Sequence, residues 1–318
     1  MKTPLISIIM PTYDRGDLIS ESIDAIINQS YNNLEFIIVD DGSKDDTINV
    51  VTEYTQADKR IKFFERPKNR PKGANACRNY GLELSTGDFI IWADSDDIMH
   101  PKCLEICFRL INEHSSDFCR FSKAVFFGSN HNYLISEPVV NAVIPLDIDN
   151  LYDMISNTIP FNTCTVLWNR EVIGKERFSE VILYGDEWEF FSRLLSNGLE
   201  GISIDSVLYY VRKHENSTTG EFWSNDKIRR NSKVKANELV IENLKDKDLL
   251  NYKMARYFIG SSLFLKDKKV YSVLIENIEH LGFIQKMKLN IRYHFNFLIR
   301  PLYKAKRAVI KKIGRNNE

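Results

Sequence analysis

The first third of this 318-residue sequence predicts an α/β fold: a mostly parallel sheet with helices on both faces. Three observations predict it. Short apolar runs of strand length alternate four times, between Leu5 and Ala93, with stretches whose apolar residues recur at helical spacing. The runs are continuous, as strands covered on both faces are. Each ends in polar or acidic residues, at the sheet edge where open α/β folds bind ligands.

Leu5 to Met10 is the first predicted strand, closed by Pro11-Thr12-Tyr13-Asp14. Leu18, Ile19, Ile23, Ile26 and Ile27 then recur at helical spacing, with Asp17 as N-cap. Leu34 to Val39 is a second strand and runs into Asp40-Asp41-Gly42-Ser43. Ser43 and Asp46 have capping-box spacing before a helix through Gln56. Ile61 to Phe64 is a third strand. The basic turn Arg66-Pro67-Lys68-Asn69-Arg70-Pro71-Lys72-Gly73 precedes a helix over 74–84, and Asp88 to Ala93 is the fourth strand. The pattern then loosens. It predicts a helix from Pro101 to Asn112, strands over 118–127 and 164–168, strand and loop over 129–150, and a short helix over 151–156. A helix over 186–197 and one or two strands over 202–211 follow. Beyond Glu221 it is helical to the end. The expected organisation is therefore a domain over 1–220, with halves 1–100 and 101–220, and a helical basic region over 221–318.

Lys+Arg and Asp+Glu are both 43, so net charge points to no particular partner. The tail departs from that balance. From Gln285 to Glu318 it carries ten Lys/Arg against one acid, Glu318. Five cysteines without C-x-x-C spacing predict reduced, buried thiols and a cytosolic protein; Cys103 and Cys107 fall on one helical face. The N-terminus lacks the apolar region of a signal peptide, and no apolar run approaches the roughly 20 residues of a spanning helix.

The stretch Ile90-Ile91-Trp92-Ala93-Asp94-Ser95-Asp96-Asp97 places three carboxylates within four residues at the end of a strand. Like charges this close repel and raise one another's pKa. A hard divalent cation, Mg²⁺ or Mn²⁺, would offset that cost, because such ions take carboxylates together with substrate phosphates. The same residues also read as an acidic turn before a helix whose first turn holds Pro101. These residues alone leave both readings open.

Further motifs surround this stretch. Pro11-Thr12-Tyr13-Asp14 follows the first strand, and Val39-Asp40-Asp41-Gly42-Ser43 with Asp46-Thr47 follows the second. Asn75 to Gly81 carries Arg78. Later come Gly185-Asp186-Glu187-Trp188-Glu189-Phe190 and Tyr210-Val211-Arg212-Lys213-His214. Taken in this order they resemble the family 2 glycosyltransferases of the GT-A fold, a Rossmann-like sheet. The respective patterns are P-x-Y-N (with Asp14 for Asn), V-D-D-G-S-x-D-x-T, N-x-x-x-R-N-x-G, x-x-D-S-D-D, G-E-D-x-E-F and Y-R-x-H-x-x-S (with one residue more between Tyr210 and His214, the R-x-H spacing from Arg212 being intact). The resemblance spans residues 4 to 218.

This resemblance implies an inverting transfer of a sugar from a nucleotide-diphosphate donor, a UDP-sugar above all. Pro11, Tyr13 and Asp40 would line the nucleobase pocket, with Asp40 accepting from a uracil-type edge. Arg78 would lie near the nucleotide and help fix the acidic loop, Asp94 would hold the ribose, with Ser95 also at the donor, and Asp96 would sit on a Mn²⁺ or Mg²⁺ ion, with His214 as a second ligand. An acceptor hydroxyl needs a carboxylate to take its proton. In G-E-D-x-E-F that base is the third residue; here the acids are exchanged, so Glu187 fills the position and Asp186 is the alternative. Acids at a helix start also meet its dipole, but that explains one of them and not a cluster of three.

The basic, aromatic-rich stretch Ile284 to Ile313, which Pro301 would kink or break, predicts contact with an anionic membrane surface. No nucleic-acid-binding motif accompanies it. The expected setting is cytoplasmic and peripheral at the inner face of the cell membrane. The expected acceptor is a glycan or a lipid-linked sugar of bacterial surface polysaccharide. A sugar-phosphate nucleotidyltransferase would need a Gly-rich, Arg-containing loop after the first strand, and a dehydrogenase a G-x-G-x-x-G there. Pro11 to Gly16 supplies neither. A binding or scaffold protein that has kept the fold is the non-enzymatic alternative, favoured only by the exchanged acids.

Overall fold

The computed structural model describes residues 3–128, 137–213, 222–224 and 226–296. Its first half is four parallel strands, β1 (Ile6–Thr12), β2 (Leu34–Asp40), β3 (Ile61–Glu65) and β4 (Phe89–Trp92). Between them run helices α1 (Ile19–Ile27), α2 (Thr47–Ala57) and α3 (Ala74–Leu84). Every residue of β1 and β2 is buried, which explains their unbroken apolar runs. Ile8, Met10, Phe36 and Ile38 join the core that includes Ile19, Ile23 and Val51 of α1 and α2. The alternate residues Ile37 and Val39 pack with Cys77 of α3. Helices thus cover both faces.

α3 sits unusually close to the sheet. A Cβ at Gly81 would lie 2.4 Å from Ile9 Cγ2, so this turn of the helix approaches β1 only because the residue is glycine.

The second half adds β5 (Ile98–Met99), α4 (Cys103–His114), β6 (Phe118–Phe127), β7 (Val143–Leu146), α5 (Leu151–Ile155), β8 (Val166–Asn169), α6 (Arg170–Ile173), α7 (Asp186–Leu195) and β9 (Gly201–Lys213). The sheet runs β3-β2-β1-β4-β8-β6-β9-β5, with β7 on β9. β8 is antiparallel to β4 and β6, so the sheet is parallel through its first four strands and mixed beyond. β5 pairs with β9, Ile98 opposite Tyr210, and this fixes the Asp94–Asp97 turn between β4 and β9. Residues 202–211, predicted as one or two strands, belong to one. All five cysteines are free and buried.

Two predicted caps are corrected. Leu18, not Asp17, is the N-cap of α1, without a side-chain bond. The N-cap of α2 is Asp46, while Ser43 Oγ bonds Asp40 and accepts from Asp14 N. Ser43 is drawn into the neighbouring loops, a tertiary preference that local spacing does not show.

The chain divides into two compact units, Met1–Ala236 and Asn237–Glu318, where the sequence pattern placed a boundary near residue 220. α8 (Lys227–Asp246) runs across the division. The second unit continues with α9 (Tyr252–Leu265), α10 (Lys268–Asn277) and α11 (Phe283–His294). Asn251 caps α9 through Met254 N, and Asp267 caps α10 through Lys269 N. α11 exposes Phe283 (80%), Ile284, Met287 and Ile291, with Lys286, Lys288 and Arg292 on the same helix. His214 and the basic tail beyond residue 296 lie outside the described residues.

Candidate active site

The site lies beyond the carboxyl ends of β1, β2 and β4, which the parallel register brings side by side. The loop after β1 is tied to the loop after β2. Asp14 N donates to Ser43 Oγ (2.9 Å), Lys44 N to Asp14 Oδ1 (2.7 Å), Arg15 N to Thr47 Oγ1 (2.7 Å) and Gly16 N to Asp45 Oδ2 (2.8 Å). Asp14 has φ 48°, in the left-handed region that Asn and Asp tolerate best among residues other than glycine. That accounts for Asp standing where the resemblance has Asn. Tyr13 is 39% exposed, with the Lys72 ammonium 3.6 Å above its ring, and Pro11 is buried within β1.

Asp40 is 1% exposed and its carboxylate is engaged by its own loop: Oδ2 accepts from Gly42 N and Ser43 N, and Oδ1 from Ser43 Oγ. Asp41 is ion-paired with Arg66. In the acidic turn, Asp94 N donates to the Tyr209 hydroxyl at 2.9 Å, and Ser95 is buried. Asp96 Oδ2 accepts from Arg15 Nε at 3.2 Å. Arg212 braces the turn from β9. Its N–H donates to Asp97 Oδ1 (2.9 Å), its Nε to the Asp96 carbonyl (3.0 Å), and its other nitrogens to Glu21 and the Gly128 carbonyl.

Arg78 joins this turn to the start of α7. It is 7% exposed, and its guanidinium reaches Asp94 Oδ1 at 3.3 Å, Asp186 Oδ2 at 3.2 Å and Asn75 Oδ1 at 3.0 Å. Its Nε, also buried, has no hydrogen-bond partner. Asn75 and Asn79, on the same helix, hold residues 178–182 through the carbonyls of Phe178, Ser179 and Ile182. The segment leading into α7 is thereby fixed.

α7 opens at Gly185, whose φ of 81° suits glycine. A Cβ there would meet Lys233 Cδ at 2.8 Å. Lys233 Nζ lies 3.7 Å above the Trp188 ring, and burial lowers its pKa to about 7. The three acids that follow Gly185 have separate partners. Asp186 pairs with Arg78. Glu187 accepts from Thr163 N (3.0 Å), Thr163 Oγ1 and Asn162 Nδ2 (3.2 Å). Glu189 is buried against Arg193 and belongs to the core.

Burial raises the pKa of Asp94, Asp97 and Asp186; Asp94 and Asp96 add to the effect on Asp97, while Arg78 opposes it at Asp94 and Asp186. Such an accumulation of carboxylates suits a hard divalent cation, which takes oxygen ligands and neutralises them. Among the described residues, ligand atoms of Asp94, Asp97 and Cys164 lie within 4.8 Å of one another. The Cys164 thiol is pushed well up by burial, stays protonated, and suits such a cation poorly. Asp94 and Asp97 fit the ion and the thiol does not; Asp96, the ligand expected from the sequence, is not in this group and accepts from Arg15 instead.

Of the residues singled out by sequence, the structure brings together Asp94, Asp96, Arg78, Asp186 and Glu187, with Tyr13 and Asp40 on the adjoining loops. Sequence reasoning missed Arg15, Asn162, Thr163 and Lys233. Each finds its partner through the fold, and none carries a local signal.

An α/β domain with arginines and carboxylates gathered beyond its parallel strands has the layout of enzymes that bind charged ligands at that edge. The chain belongs to glycosyl transferase family 2, whose family model matches residues 7–174. The putative teichuronic acid biosynthesis glycosyltransferase TuaG of Bacillus subtilis is 29% identical over 220 residues, 69% of this chain and 83% of that protein. Against four other curated relatives the match spans only 29–41% of their length. Among solved structures, S. aureus TarS 1–349 in complex with UDP-GlcNAc has a TM-score of 0.64 at 18% identity, covering 83% of this chain and 73% of that one. The mannosyltransferase PcManGT from Pyrobaculum calidifontis, in complex with GDP-Man and Mn²⁺, has a TM-score of 0.58 at 17% identity, covering 96% and 83%. At these identities the likeness shows the GT-A fold alone.

Proposed function

We propose that this chain is an inverting glycosyltransferase that moves a sugar from a nucleotide-diphosphate donor, a UDP-sugar, to a glycan or lipid-linked acceptor in bacterial surface polysaccharide synthesis. The observation that carries the reading is Arg78. One buried guanidinium spans the acidic turn after β4 and the acidic start of α7, so donor-side and acceptor-side carboxylates share one small volume.

In this reading Pro11, Tyr13 and Asp40 shape the nucleoside pocket. Asp40 acts there chiefly by holding its loop, because its oxygens are already engaged. Asp94 and Ser95 face the ribose. Asp96, with His214, would hold Mn²⁺ or Mg²⁺; when bound, the ion offsets charge on the departing diphosphate. Glu187 is the base, and Thr163 and Asn162 fix its carboxylate. The acceptor oxygen attacks the anomeric carbon, the bond from that carbon to the diphosphate oxygen breaks, and the acceptor proton passes to Glu187. A single displacement of this kind inverts the configuration. UDP-GlcNAc in TarS, GDP-Man with Mn²⁺ in PcManGT and the teichuronic acid assignment of TuaG support the reading by likeness.

The test is thermal stabilisation by UDP-, GDP- and dTDP-sugars, with and without Mn²⁺. A UDP-sugar at a hundred times its Kd should stabilise the protein by about 2.7 kcal/mol, with a Mn²⁺-dependent part that Asp96→Ala removes. Equal stabilisation of the variant would defeat the metal assignment.

No helix among the described residues is long and apolar enough to cross a membrane. The exposed apolar residues of α11, flanked by Lys286, Lys288 and Arg292, support the peripheral contact read from the basic tail, each cation near an anionic surface contributing about 1 kcal/mol. The protein should float with phosphatidylglycerol-containing vesicles at low salt, and Phe283→Glu/Ile284→Glu should weaken flotation. Equal flotation with neutral vesicles would overturn the electrostatic part.

A further inference from the structure

We propose that Arg15 is a built-in substitute for the divalent cation: it neutralises Asp96 before a donor arrives and moves onto the donor's diphosphate when the ion takes Asp96. The inference rests on the reading of Asp96 as a metal ligand and adds a positioning residue that the reading does not contain.

Arg15 stands on the loop after β1, and its Nε lies 3.2 Å from Asp96 Oδ2 across the site. Its Nη1 turns back onto the carbonyls of Asp14 (3.1 Å) and Tyr13 (3.4 Å). The backbone beneath it is held by the Asp14–Ser43, Arg15–Thr47 and Gly16–Asp45 hydrogen bonds. The anchor is thus fixed, while the side chain itself is 29% exposed. Both ends of the proposed movement matter. Tyr13, two residues before Arg15, lines the proposed nucleoside pocket, and Asp96 marks the proposed metal position, so the diphosphate must lie between them, along the reach of Arg15.

The chemistry matches that position. An acidic turn without a cation repels itself, and a guanidinium on Asp96 relieves the repulsion. A carboxylate oxygen that accepts from Arg15 is less available to a metal, so the pair opposes metal binding when no donor is present. Once the ion occupies Asp96, the released guanidinium presents a planar fork suited to phosphate oxygens. Metal and donor then assist each other, and linkage requires the assistance to be equal in both directions.

The experiment is isothermal titration of Mn²⁺ alone, of UDP alone, and of UDP with Mn²⁺ saturating, on wild type, Arg15→Met, Arg15→Lys and Asp96→Asn. Arg15→Met should bind Mn²⁺ alone roughly 1.5- to fivefold more tightly, the release of a partly exposed ion pair, and should show a smaller factor by which Mn²⁺ tightens UDP. A gain in metal affinity is not what structural damage produces. Arg15→Lys, which keeps the charge, should fall between the two. If wild type binds Mn²⁺ and Arg15→Met binds it no more tightly with an unchanged coupling factor, the inference is wrong and the metal reading stands. If neither binds Mn²⁺ even with UDP, or Asp96→Asn binds it as wild type does, the metal reading itself fails and the inference with it.

Discussion

Glu187→Gln should lower kcat by roughly 10²–10⁴-fold, the range of a lost general base, while UDP-sugar affinity changes little. The amide keeps the size of the side chain, and its one carbonyl oxygen can still accept from Thr163, while the amide nitrogen in place of the second oxygen gives up only the bond from Asn162. What it loses is the capacity to take a proton from the acceptor hydroxyl. Asp186→Asn is the informative comparison. Asp186 is the counter-charge of Arg78, and its loss should disturb donor binding as well as kcat. Steady-state kinetics on both variants separates the roles. If Asp186→Asn abolishes turnover with KM intact and Glu187→Gln is mild, the base assignment passes to Asp186.

Arg78→Met should cost about 3–5 kcal/mol of stability, the range for removing one partner of a buried ion pair, and should abolish turnover. Asp186 is the more buried of its two carboxylate partners and bears more of the penalty; Asp94, a third exposed, is partly rescued by water. Burial already raises the pKa of both acids, so without the guanidinium they would retain protons further toward neutrality. Urea unfolding reads the stability, and Arg78→Met combined with Asp94→Asn and Asp186→Asn should recover much of it without recovering activity. An Arg78→Met protein as stable as wild type would show that the three groups do not form a coupled unit.

The sequence was most legible where local and tertiary forces agree. α3 occupies the predicted 74–84, with Gly73 at its start, although its buried residues include the polar Asn75, Arg78 and Asn79. β6 occupies the predicted 118–127. The acidic turn and the Gly185–Glu189 cluster were visible as motifs, since crowded carboxylates have no folding benefit of their own. Of their partners only Arg78, which the resemblance sets against the acidic loop, was visible. Arg15 meets Asp96 across 81 positions, and Thr163 meets Glu187 across 24, distances that no helical or strand period spans. Ser43 has capping-box spacing but caps no helix, because its hydroxyl donates to Asp40 and accepts from Asp14 N. β5 has two residues, too few for a pattern, and exists because β9 offers an edge.

The contact between Gly81 and Ile9 has a bearing on redesign. With 2.4 Å of clearance for a Cβ, the depth of α3 against the sheet is set, and with it the height at which Arg78, nearly one turn earlier, enters the cleft. Altered sugar preference should therefore not be reached through this helix. Laboratory evolution should find its tolerated changes at Tyr13 and Lys72, whose side chains lie at the surface.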